Sequence, residues 1–368
     1  MIMKIHEIIR KQRKERGLTQ EELARYLGVS APAVNKWEKG QSYPDITLLP
    51  VMAAYFNMSV DELLGYEPQM IKQDIEKLYH RLAKRFSSEP FEVVKAECDE
   101  YVKKYHSCFQ LLLQMAVLYV NHVPLAPAPK EILEEAITLL DCVIEDCGEV
   151  QLVKEAVITK GGCYLMMENP QEVLDLLGGE VHAIMQDAEM QAQAFQMKGD
   201  MEKAREALQV SMYQHLLMFV GDSALLVSWE TESPAKADEV IRRTLKVMEI
   251  YQIDKLHFNV MAQVYLSFAQ HYCIVKRPED AVDILERYVN VFLNQEHALE
   301  LHGDEYFDKI DNWLSNLTLG KEPPRSEAVV RQSVLGTVAE NPVFACLKDN
   351  ARYRHLVKRL EEYCGRTN

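Results

Sequence analysis

Apolar residues near the start of the chain recur at helical spacing. Ile5, Ile8 and Ile9 line one face of a first helix, and Gly17 stops it in the manner of a C-terminal cap. Thr19 with Glu22 makes a capping box, so a second helix begins at Gln20, buries Leu23, Ala24 and Leu27, and ends at Gly28. Only Val29 and Ser30 precede the next start, where Ser30 is an N-cap and Pro32 falls in a first turn whose amides need no intrahelical partner. Val34 and Trp37 face inward along this third helix, which Gly40 closes. The apolar segment ITLLPVMAAYFN predicts a fourth helix that opens with an irregular turn before Val51, because Pro50 removes an amide. Ser59 with Glu62 makes a second capping box ahead of a short fifth helix ending DELLG.

Two short helices joined this tightly cross steeply, the geometry in which the second of the pair projects its N-terminal end into a DNA major groove. The outward residues of that helix are Ala31, Pro32, Asn35, Lys36 and Lys39. An Asn amide pairs bidentately with adenine, a Lys ammonium donates to guanine, and Ala or Pro packs on a thymine methyl. The segment LTQEELARYLGVSAPAVNKWEKG, followed by YPD and MSVDELLG, resembles the lambda-repressor/Cro-like (XRE) helix-turn-helix family over about residues 4–66. The resemblance implies that Gln20 contacts the DNA backbone while bracing the recognition helix. It also implies that Ser30, Lys39 and Gln41 lie near phosphates, and that Ala31, Pro32, Asn35 and Lys36 face bases. Ala31 and Pro32 replace a polar pair common in relatives, a departure that touches base specificity rather than fold.

From Ile71 onward, helix follows helix without strand alternation, punctuated by Pro90, PLAPAP, Asn169-Pro170, Gly199-Asp200, Pro278 and Pro323-Pro324. GGCYLMMENPQEVLDLL, AQAFQMKGDMEKAREAL and AQHYCIVKRPEDAVDIL share a small residue, an aromatic, a turn and a second small or apolar residue at matching offsets. A weaker copy begins at Ala116 and Tyr119 and continues, after PLAPAPK, at Ala136 and Leu140; a degenerate unit near residues 200–250 fills the remaining gap. These segments resemble tetratricopeptide units, with Ala204 and Ala281 admitting close helix approach and Tyr164, Phe195 and Tyr272 filling the space between hairpins.

The expected architecture is therefore all-α: a five-helix lambda-repressor-like DNA-binding domain at 1–66, a linker at 67–71, and a tetratricopeptide-like α-solenoid of four to seven helical hairpins at 72–368. Stacked hairpins present a groove suited to extended peptides, and the offsets facing it hold Asn121, Gln186, Glu189, Gln193, Gln196, Gln263 and Gln270.

Charge changes this picture in one respect. The net charge of −15 argues against a nucleic-acid partner until it is divided: residues 1–65 carry nine Lys/Arg against eight Asp/Glu, so the acidity lies in the body. Five of the nine, Arg10, Lys11, Arg13, Lys14 and Arg16, make a local positive surface.

The eight Cys contain no C-x-x-C pair and read as reduced core thiols, and the His, including His297 and His302, show no metal spacing. Gly221-Asp222-Ser223 resembles part of a lipase-type serine motif but sits in a helical run, and no phosphate-binding glycine motif is present. Neither cofactor, metal nor enzymatic activity is expected. No apolar run approaching the roughly 18 residues of a membrane span is expected either, which places the chain in the cytoplasm without a membrane partner.

An XRE head on a tetratricopeptide-like body resembles the bacterial peptide-pheromone regulators. The resemblance implies double-stranded DNA as partner, a homodimer formed through the body, and a short peptide or other small ligand in the groove. The alternative from another class is an interaction adaptor, tethered to DNA, whose repeats bind a protein partner.

Overall fold

The computed structural model describes residues 5–66, 69–293 and 300–365, apart from the side chains at 327 and 328. Pro68 of the expected linker and His297 lie outside these residues. Among those described, every regular element is a helix.

The head contains α1 (Ile5–Glu15), α2 (Gln20–Leu27), α3 (Ala31–Glu38), α4 (Leu49–Phe56) and α5 (Val60–Leu64). Both expected capping boxes form, with Thr19 and Ser59 accepting from the Glu22 and Glu62 amides and the two carboxylates reaching back. Gly28 ends α2 at φ +67°, a left-handed conformation that costs other residues about 1–2 kcal/mol. The irregular turn ahead of Pro50 is a short 3-10 segment, Ile46–Leu48, capped by the Asp45 carboxylate. Ile5, Ile9, Leu23, Leu27, Val34, Trp37, Met52, Phe56 and Leu63 close a core confined to the head.

The body runs through α6 (Lys72–Phe86), α7 (Phe91–Lys104), α8 (Phe109–His122), α9 (Pro129–Asp146), α10 (Val150–Met166), α11 (Pro170–Leu177), α12 (Asp187–Met197), α13 (Met201–Trp229), α14 (Pro234–Ile250), α15 (Ile253–Leu256), α16 (Phe258–Ile274), α17 (Pro278–Leu293), α18 (Asp311–Ser315), α19 (Glu327–Ala339) and α20 (Ala351–Gly365). Six sequential helix pairs pack together: α6/α7, α8/α9, α10/α11, α12/α13, α16/α17 and α19/α20. The three sequence repeats coincide with α10/α11, α12/α13 and α16/α17, and the weaker copy with α8/α9.

Backbone conformation identifies the repeats more sharply than side chains do. Glu168, Gly199 and Lys276 each stand seven residues after the small anchor of their repeat, Gly161, Ala192 and Ala269, and all three have positive φ, at 57°, 79° and 60°. In each, the amide of the following residue bonds back to the carbonyl of the repeat aromatic: Asn169 to Tyr164 at 2.9 Å, Asp200 to Phe195 at 2.9 Å and Arg277 to Tyr272 at 2.8 Å. The same Schellman-type ending closes helices of the head at Gly28, Gly40, Asn57 and Gly65, so it is the shared seven-residue offset from the anchor that marks the repeats. Ala204 and Ala281 are buried as the close approach of paired helices requires, but only Tyr272 of the three aromatics is fully buried; Tyr164 and Phe195 are half-buried.

Burial divides the body into two main cores. One gathers residues from α6 through α10, including Tyr79, Leu112 and Tyr119; the other gathers α13 through α20, including Phe268, Leu285 and Phe344. Between them α11 buries no side chain and α12 buries only Ala192. The expected degenerate unit near 200–250 is instead α13, a single helix of 29 residues, followed by α14. The expectation that no run approaches membrane-spanning length is corrected here: α13, with a mean hydropathy of 1.3 over its most apolar stretch, is long and apolar enough by length and composition to cross a bilayer.

A strap also crosses the body, which an open solenoid does not have. Around α18, Asp308 and the Lys309 amide bond the Gln209 side chain, both at 2.8 Å, and Asn312 bonds Glu206 at 3.0 Å, fixing the segment to α13. Phe307 and Trp313 pack edge-on against buried Tyr213, with centroids 5.7 and 6.2 Å away. The chain then reaches α6, where the Asn316 carbonyl accepts from Lys72 and the Leu319 carbonyl lies 3.0 Å from His80 Nε2.

Glycine is the unstrained residue at the shared turn position. Glu168→Gly and Lys276→Gly should each raise stability by roughly 0.5 to 1 kcal/mol, the left-handed penalty less the added entropy of the unfolded chain, read as a higher urea midpoint of the full protein.

Candidate nucleic-acid interface

The turn between α2 and α3 aims the start of α3 outward, and the residues expected to read DNA divide into an exposed group and a bracing group. Pro32, Lys36, Lys39 and Gln41 are exposed, and Asn35 is half-buried on the same helix. Ala31 is also half-buried and packs partly against the head core, which leaves less of its methyl for a base than an outward position implies. Ser30 holds the N-cap position in extended backbone, but its exposed hydroxyl makes no cap hydrogen bond, so its expected capping is corrected: the hydroxyl stands beside the first amides of α3 instead of satisfying one.

Behind α3 lies a polar contact in which only Gln20, expected to brace this helix, was anticipated; the pairing of Arg13 with Glu38 was not. Glu38, only 6% exposed, receives Arg13 Nε at 2.5 Å and Arg13 Nη2 at 2.9 Å, a two-pronged guanidinium–carboxylate pair, and its second oxygen also accepts from Gln20 Nε2 at 2.8 Å. Arg13 Nη1 donates to the Leu18 carbonyl at 2.6 Å. One carboxylate thus joins α1, the start of α2 and the end of α3. Burial pushes the Glu38 carboxyl up, but its bonds to Arg13 and Gln20, with the charges of Arg13 and Arg10, hold it below the usual carboxylate range. The hydrogen bond to Glu38 likewise holds Arg13 above its ordinary value.

Arg13 therefore leaves the expected positive surface. Arg16 is also committed, donating to the Phe56 carbonyl and lying 5.2 Å from the Phe56 ring centroid. Arg10, Lys11 and Lys14 remain, with Lys11 3.9 Å from Glu15. The signal for Arg13 was present in the sequence: it follows Ile5 and Ile9 at intervals of four and so continues their buried stripe.

The seven residues expected to face a groove do not form one site. The Asn121 amide is spent inside the first body core, donating to Tyr79 Oη at 3.0 Å. Gln263 and Gln270 lie on α16, exposed and half-buried, while Gln186, Gln193 and Gln196 are exposed along α12 and its N-cap. Glu189 alone of the seven lines the cavity between α12 and α13, of about 480 Å³, together with Met185, Phe195, Ser211, His215 and Trp313. There it accepts from Ser211 Oγ at 3.1 Å, and the same hydroxyl lies 3.4 Å from His215 Nδ1. Ser223 is buried in α13 and donates to the Phe219 carbonyl at 2.7 Å, which fits the helical reading of that serine.

Residues 9–63 match the helix-turn-helix family model. The HTH-type transcriptional activator BcrR of Enterococcus faecalis is 33% identical over 84 residues, which are 21% of this chain; the chain spans about two fifths (41%) of the length of that curated relative. Among solved structures, Bacillus thuringiensis PlcR in complex with the peptide PapR7 and DNA aligns over 79% of this chain and 94% of that one, at 15% identity and a TM-score of 0.30. The apo competence regulator ComR of Streptococcus vestibularis aligns over 80% and 93%, at 17% identity and a TM-score of 0.23.

Removing one side of the Arg13–Glu38 pair leaves a buried charge without its partner. Arg13→Met should therefore destabilise the head by roughly 3 kcal/mol, whereas Lys36→Ala should stay within about 0.5 kcal/mol, both read by denaturant unfolding. Because the folded Glu38 pKa is depressed, its contribution is complete above the ordinary glutamate value of about 4.3 and is lost as the pH falls through the lower folded value. An acid titration of wild type should show this loss; Glu38→Gln should remove it.

Proposed function

Taking the first 66 residues as a helix-turn-helix head, we propose that the chain is a sequence-specific DNA-binding transcriptional regulator of the cytoplasm. Its body pairs two copies and senses a peptide or small ligand. The observation that carries the reading is α3 itself: Pro32 and Lys36 stand toward solvent, with Asn35 half-buried on the same helix, while Glu38 near its end is locked to Arg13 and Gln20. A helix fixed from behind meets duplex DNA with little further ordering of its backbone, which favours the cognate complex.

In this reading Asn35 and Lys36 face base edges, Pro32 and the accessible part of Ala31 meet a thymine methyl, and Ser30, Lys39 and Gln41 lie along phosphates. Gln20 holds Glu38 through one hydrogen of its amide nitrogen and has the second left to donate to a backbone phosphate. Two heads held by one body read half-sites about one turn of DNA apart. The cavity between α12 and α13 is the place for an effector: its three carboxylates, Asp187, Glu189 and Glu206, outnumber one ammonium, Lys203, and Met185, Phe195 and Met218 make it partly apolar, so it suits a ligand that is both cationic and apolar. A ligand that prefers one arrangement of the body changes the spacing of the heads and hence operator affinity.

The test is binding to an operator selected from random duplexes. Asn35→Ala and Lys36→Ala should each weaken cognate binding by about 1 to 3 kcal/mol while changing affinity for unrelated duplex little, measured by fluorescence anisotropy at fixed salt. Equal weakening on all sequences would remove the base-reading roles. Capture of one folded protein by the body, with no ligand effect on DNA affinity, would favour the adaptor.

A further inference from the structure

Helix α13 carries an apolar stripe exposed to solvent. Met201, Leu208, Met212, Phe219 and Leu226 are 43%, 42%, 42%, 48% and 36% exposed. They follow one another at intervals of seven, four, seven and seven residues, which at 3.6 residues per turn keeps them within about 40° of each other around the helix. Recurrence at seven is the pattern of a seam between paired helices, and a contiguous apolar stripe of this kind marks an interaction surface, as scattered exposed residues do not. Neighbouring Met218, Leu225 and Trp229 are also at least half exposed. Those three lie about 100° around the helix from the stripe, so the seam itself offers its five side chains, on the order of 400 Å² per protomer, half of the roughly 800 Å² per partner of a standard interface.

We propose that this stripe is where two copies of the chain pair, antiparallel along α13; the proposal rests on the two-headed reading above and assigns its surface. Antiparallel pairing of identical helices makes a two-fold interface, in which every contact occurs twice. The register that sets Leu208 against the partner's Phe219, and Met201 against the partner's Leu226, also sets Arg205 against the partner's Asp222. The two charges are exposed and of opposite sign, and among the described residues Arg205 pairs with a neighbour on its own helix, Glu202, at 3.3 Å. The same register sets Met212 against the partner's His215, so a single arrangement pairs four of the five apolar positions and the two charges, and the occupant it fits is a second α13.

Sedimentation equilibrium of the full chain tests this. Wild type should dimerise, and Phe219→Glu combined with Leu226→Glu should raise the dimer Kd by at least about a hundredfold. Arg205→Asp and Asp222→Arg should each raise it about tenfold, and their combination should return it to within about threefold of wild type, because the pair is rebuilt with its signs exchanged. All positions are exposed, so circular dichroism should keep its wild-type helical signal, and the thermal midpoint should match wild type at concentrations below the wild-type dimer Kd. A wild-type dimer indifferent to every one of these changes would overturn this surface and leave the two-headed reading standing. A wild-type chain monomeric throughout would overturn both. Wild-type monomers that bind phosphatidylglycerol vesicles, with binding lost in Phe219→Glu/Leu226→Glu, would assign the stripe to lipid and overturn the pairing.

Discussion

Glu38 is a carboxylate near the end of α3, and it can be buried there only because Arg13 and Gln20 arrive from two other helices to meet it. A buried charge without partners costs several kcal/mol, so the position of α3 is tied to those of α1 and α2 by more than apolar contact. The hydrophobic core of the head sets the distances between its helices, while the two-pronged guanidinium contact restricts their rotation. Asn35 and Lys36 inherit their direction from this arrangement, one turn or less from the carboxylate that fixes it.

Much of the head was legible because its punctuation is local. Thr19 with Glu22, Ser59 with Glu62, and Gly28 each act within a few residues, and each does what its neighbours in sequence imply. What escaped was non-local: Arg13 sits among four other basic residues and reads as surface charge until Glu38, 25 positions away, is brought beneath it. Ser30 shows the converse, since a good capping residue at the right place leaves the first amides of α3 without its hydroxyl.

In the body, the repeats were legible through the small and aromatic anchors, and their shared left-handed turn was hidden because only Gly199 of the three residues advertises it. Groove residues were the least legible. A polar residue at a given helical offset faces solvent, a cavity or a neighbouring tyrosine according to what packs alongside, and Asn121 meets Tyr79. The length of α13 was also obscured: Gly221-Asp222-Ser223 reads as part of a helical run, but a degenerate unit was expected near 200–250, where one helix runs from Met201 to Trp229.

The strap joins residues remote in sequence: Lys72 and Asn316, whose side chain and carbonyl meet, are 244 positions apart. Contacts this distant form late, because the intervening chain must first be ordered. During synthesis the head and the α6–α10 core emerge well before the strap does, so His80 and its neighbours on α6 wait uncovered until Asn316 and Leu319 have left the ribosome. Truncated chains that stop short of the strap would thus display the α6 surface permanently, and quality-control proteases would meet it as the mark of an unfinished molecule.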